Sequence, residues 1–151
     1  RWEAIFLGMV DVASGKSIWR GMDYYEQHKV LEWEKLDETH YKGRVAGNEG
    51  KIYEVTIDTA HPKRSKCDCP FAEGRYVVCK HMIALYFTAE PWQAEQFWRE
   101  VEEAELEEEE EARLHEEELE RYVKSLSKKE LQEQLLEALL EIEELKRWEY
   151  W

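Results

Sequence analysis

Three cysteines, three prolines and seven glycines are all that 151 residues hold of the types that staple or break a chain. Three thiols cannot all pair within one chain, and Cys67 and Cys69 are separated by one residue, a spacing that strains any disulfide between them. A metal site or free thiols in a reducing compartment fit better than an extracellular disulfide scaffold, so a cytoplasmic location is expected. No stretch approaches the roughly 20 apolar residues of a membrane span, and no basic segment leads into an apolar run and cleavage site at the start. Also missing are a Gly-x-x-x-x-Gly-Lys-Ser/Thr loop and any Ser/His/Asp grouping. Any ATPase activity would belong to another polypeptide, and neither an enzyme nor a small-molecule substrate is expected.

Positive charge is short as well, but unevenly so. The net charge is −14, yet residues 1–88 carry 13 Lys/Arg against 13 Asp/Glu, while residues 89–151 carry 8 against 22. The whole excess lies in the C-terminal part, so the chain-wide figure does not exclude a nucleic-acid partner for the first part. Apolar residues reach 43%, with seven Trp, eight Tyr and four Phe, enough for one modest core. The division expected is a neutral α+β domain over 1–88 and an acidic helical region over 89–151.

Within the first part, Trp2 to Val10 reads as a short buried helix, with a strand as the alternative. After Ser14-Gly15-Lys16-Ser17, Ile18, Trp19, Met22 and Tyr25 recur at helical spacing to about Gln27. From residue 30 the period becomes two: Leu31 and Trp33, then Tyr41, Gly43 and Val45, then Tyr53, Val55 and Ile57 alternate with polar residues. Turn residues at 37–39 and 47–50 separate these runs, so a three-stranded antiparallel meander is expected, with helices covering one face.

Beyond Pro91, Trp92, Phe97, Trp98 and Val101 begin an amphipathic helix that runs into Glu107–Glu111. Ser127 and Glu130 have capping-box spacing, flanked by Leu126 and Leu131 as a staple, and start another helix. Leu131, Leu135, Ala138, Ile142 and Leu145 give it an apolar face that needs a partner surface, which a C-terminal helical hairpin would supply.

All three cysteines fall in Lys66-Cys67-Asp68-Cys69-Pro70 and Val78-Cys79-Lys80-His81. Three thiolates and one imidazole make a full tetrahedral set for Zn2+, whose borderline softness suits S and N donors. Cys67, Cys69, Cys79 and His81 are the expected metal ligands. Four protein ligands close the shell and leave no position for a reacting water, so the ion is read as structural. His61 is the competing fourth ligand, ranked below His81 for its less typical distance from Cys67. His28, His40 and His115 are read as surface or core. Redox switching or metal sensing by the same cysteines is the alternative use, although nothing outside metal binding lowers a thiol pKa.

The pattern Cys-x-Cys, nine residues, Cys-x-His resembles the SWIM zinc-finger family, whose signature lies on a small ββα unit. The strand Ile52–Asp58 leading into it is typical of that family. Arg20–Glu26 and Ser127–Leu140 resemble flanks of prokaryotic members. The resemblance implies zinc at the four residues named, no catalysis, and binding to DNA or to a protein. Members attached to helicase-like ATPases make an accessory role in DNA maintenance the expectation.

Residues 61–81 hold five Lys/Arg against two acids, and Lys63, Arg64, Lys66, Arg75 and Lys80 are the candidate phosphate contacts. Three zinc-bound thiolates outweigh the ion's charge by one and trim that excess, while the acidic tail repels phosphates nearby. The protein-binding alternative rests on the Leu131–Leu145 face and on Trp148, Tyr150 and Trp151. Internal packing of that face is the competing reading.

Overall fold

The computed structural model describes residues 8–150. Most of the helix expected at Trp2–Val10 lies outside them; the described residues begin with a single turn, α1 (Met9–Val12). Two compact units divide at Glu100 and Val101.

In the first unit, α2 (Gly15–Glu26) starts where the Ser14 hydroxyl accepts the Ser17 backbone N–H, filling one of the helix's open donor positions. The sheet follows: β1 (Val30–Lys35), β2 (His40–Ala46), β3 (Ile52–Asp58) and β4 (Lys66–Cys67), each antiparallel to its neighbour and in sequence order. The sheet has four strands rather than the expected three. The fourth pairs only Cys67 with Val55 and Lys66 with Thr56, and two residues are too few to show a period in sequence.

Tyr41, Val45, Val55 and Ile57 form the buried face of this sheet, as the alternation predicts, and Cys67 of β4 is buried with them. β1 departs from it. Leu31 and Trp33 are 55% and 43% exposed, because β1 is an edge strand whose register breaks between Val30 and Glu32.

Over the buried face lies α3 (Lys80–Ala89), with eight of its ten residues buried. It approaches β2 so closely that a Cβ on Gly43 would lie 2.8 Å from Leu85 Cδ1. Phe87, Ile83, Leu85, Met82, Met22 and Met9 fill the space between sheet and helices. The next helix, α4 (Pro91–Ser125), adds Ala94 and Phe97 to this core; Trp19 packs edge-on to Phe97 and Trp98, at 5.2 and 5.5 Å between ring centres.

The second unit holds the rest of α4 and α5 (Lys128–Glu149). The Glu107–Glu111 run does not interrupt α4; Arg113 bonds both Glu110 and Glu117 along it. Ser127 caps α5 by accepting the Glu130 N–H. The closed apolar seam expected of a hairpin is not seen among the described residues: no residue of α5 is buried, and Leu135 is 60% exposed. No described helix is long and apolar enough to cross a membrane.

Candidate metal centre and the basic surface around it

Antiparallel pairing carries Cys67 to the end of β4, and the chain then turns sharply. Asp68 holds the turn to the sheet, its Oδ1 accepting the Glu54 N–H at 2.9 Å. The Cys69 carbonyl accepts the N–H groups of Ala72 and Glu73, and Gly74 takes a φ of 71°, open to glycine at little cost. On the other side, Cys79 is the N-cap of α3; its carbonyl accepts the Ile83 N–H while its side chain makes no cap bond. His81 follows in the first turn.

The structure brings these four residues together. Their ligand atoms lie within 4.8 Å of one another, and all four side chains are buried. Nδ1 of His81 stands 3.7 Å from Cys67 Sγ and 3.8 Å from Cys79 Sγ. A tetrahedron with Zn–S of about 2.3 Å and Zn–N of about 2.0 Å has S···N edges of about 3.5 Å, so the donor chemistry and these two edges suit the ion. The imidazole packs on Tyr53 and Tyr24, with ring centres 4.7 and 5.4 Å away, and its buried Nε2 has no hydrogen-bond partner among the described residues.

Without a cation the thiols restrain one another. Cys67 is pushed strongly up, first by its hydrogen bond to Cys79 and then by burial; Cys79 is held low by the same bond. Burial, followed by the charge on Cys79, raises Cys69. Thiols this close and this buried oppose one another's ionisation, and a divalent cation is the partner that would let all three ionise together.

Residues 53–90 match the SWIM zinc finger family. The matched segment runs from within β3 to the end of α3, contains all four residues of the cluster, and spans about a quarter of the chain. Comparisons with curated proteins and with solved structures gave no significant match. The SWIM segment and its cluster of three cysteines and one histidine together support a zinc-binding module.

His61 is not part of the cluster. Its Nδ1 faces Asp58 at 3.5 Å and its side chain is exposed. Of the five basic candidates, Lys63, Arg64, Lys66 and Arg75 line one groove of about 770 Å³ along the SWIM segment. Lys80 does not. It lines a second cavity of about 260 Å³ with Lys16 and Arg20, and its Nζ sits 4.8 Å from the centre of the Tyr24 ring. That cavity contains no carboxylate, and it also borders Cys69, Cys79 and His81. Sequence reasoning missed Lys16 and Arg20, which lie some sixty positions from Lys80 and meet it only because α2 packs along α3.

Proposed function

We propose that Cys67, Cys69, Cys79 and His81 hold a structural Zn2+ and that the chain is a non-enzymatic interaction module whose basic groove contacts DNA. The observation that carries this reading is a buried cluster of three cysteines and one histidine beside a groove that four cations line together with Cys67 and Asp68. Bound zinc would fix the turn at Cys67–Cys69 to the start of α3 and supply folding energy there. Strands β3 and β4 with α3 correspond, in this reading, to the family's ββα unit. The acidic part beyond the first turns of α4 is an appendage that weakens nonspecific attraction to phosphates.

Burial of all three thiols weighs against redox sensing, because a sensor cysteine must meet its oxidant. A protein partner is the second reading, favoured by the open leucine face of α5. A larger DNA-maintenance assembly in a reducing cytoplasm is consistent with both, with any ATPase supplied by another chain.

The test is fluorescence anisotropy of a labelled DNA with the zinc-loaded full chain at two salt concentrations. The reading expects binding that falls steeply with salt and is lost when Lys63, Arg64 and Lys66 are replaced together by Ala. No binding at low salt ends it and moves attention to partners of α5.

A further inference from the structure

The basic groove has a feature that charge alone does not require. Tyr76, on its rim, is 81% exposed, so its ring offers a face with almost no cover from the protein. Large aromatic side chains left this open beside a basic groove are what unpaired bases stack on, since every base has a π-face and stacking tolerates any sequence. Close to Tyr76 in the same turn, the Arg75 guanidinium lies 4.9 Å from the centre of the Phe71 ring, and its Nη1 donates to the Phe71 carbonyl at 3.0 Å. Arg75 is thus held in place before any ligand arrives.

Of the groove's three carboxylates, Glu54 is paired with Arg44, whose Nε lies 3.2 Å away, which leaves Asp68 and Glu73 against Lys63, Arg64, Lys66 and Arg75.

The helices α2 and α3 are poorly placed for duplex reading. A helix that reads duplex DNA must lay an exposed face in a groove about 12 Å wide. The helix that starts at the metal centre, α3, is buried along eight of its ten residues. The exposed side of α2 turns acidic after Arg20, with Asp23 and Glu26.

We infer that the groove of Lys63, Arg64, Lys66 and Arg75 binds single-stranded rather than duplex DNA, with Tyr76 as the stacking platform. This rests on the DNA reading proposed above and narrows it. The cations follow the phosphates, and Tyr76 presents its ring to a base that pairing would otherwise hide.

The experiment uses zinc-loaded full-length protein, labelled oligothymidylate, and a duplex of equal length at low salt. The single strand should bind at least about tenfold more tightly than the duplex, and Tyr76→Ala should weaken single-strand binding by about tenfold or more. Tyr76→Phe should keep it, because the ring and not the hydroxyl is used. Duplex binding as tight as single-strand binding, or a Tyr76→Ala protein that binds the single strand normally, overturns the inference while leaving the DNA reading intact. Absence of binding to either nucleic acid overturns both. The exposed position of Tyr76 makes a folding defect easy to separate, since zinc content and thermal stability of Tyr76→Ala should match the wild type.

Discussion

The side chain of Ile83 occupies the space that a Cβ on Gly21 would need. Gly21 is buried in the middle of α2 and Ile83 is two residues beyond His81, so this contact sets how closely α2 lies along the helix that carries His81 and is capped by Cys79. Gly21→Ala should cost about 1–3 kcal/mol through overpacking. Gly15→Ala, at the start of the same helix where nothing lies within 4 Å, should be neutral or mildly stabilising. Denaturant unfolding of the two variants checks this, and equal stability would show that α2 shifts freely.

Chelation should lower the melting temperature, and one equivalent of Zn2+ should restore it. Ligand at a thousandfold excess over its Kd stabilises by about 4 kcal/mol. The hydrogen bond to Cys79 pushes the Cys67 pKa up and burial pushes that of Cys69 up, whereas zinc binds thiolates. Zinc binding should therefore release protons, and affinity should fall as pH falls. Cobalt titration followed in the visible region gives the coordination, and His81→Ala should lose the spectrum of a tetrahedral site with three sulfur donors and one nitrogen. An unchanged spectrum would remove His81 from the ligand set.

The turn between β1 and β2 should make stability depend on pH in two windows. Nδ1 of His40 lies 2.9 Å from Asp37 Oδ1, and Nε2 lies 3.3 Å from Asp58. The hydrogen bond to Asp37 is the main reason that the His40 pKa is raised above 6.5. Its contribution is complete below that ordinary value and is lost as pH climbs through the raised one. Asp37 is lowered to about 2, chiefly by the Thr39 backbone N–H, so its contribution is present above 3.8 and fades as pH falls through about 2. NMR titration of His40 should move down in Asp37→Asn, and an unmoved titration would assign the shift elsewhere.

Phosphate contacts should be countable by salt. Each of Lys63 and Lys66 replaced by Ala should reduce the slope of log K against log salt by about 0.7–0.9, and Lys16→Ala with Arg20→Ala reports whether the second cavity shares the path. Slopes that do not change with any of these would place the DNA contact outside both cavities.

The open face of α5 predicts small stability effects. Leu135→Ala and Ile142→Ala should each change unfolding free energy by no more than about 0.5 kcal/mol. A loss of about 2 kcal/mol or more, read with sedimentation, would mean that hairpin closure or a second copy buries these side chains in solution.

That Cys67, Cys69, Cys79 and His81 come together was legible in the chain, because two pairs nine residues apart restrict which side chains can meet at one point. So were the alternation of Tyr41, Gly43 and Val45 with Tyr53, Val55 and Ile57, and the cap at Ser127, since these depend on local periodicity and short-range hydrogen bonds. What the sequence could not reveal depends on distant neighbours. Two residues are too few to announce β4, which forms because Val55 and Thr56 offer an open edge. Leu31 and Trp33 alternate like the other strands but stand at that sheet's opposite edge, beyond the cover of the core. Lys16 and Arg20 reach the cavity beside the cysteines only through the packing of α2 on α3, and the separation of Lys80 from the other four cations follows from the turn between them. Pattern fixes which residues belong together along the chain; only packing decides which surfaces they share.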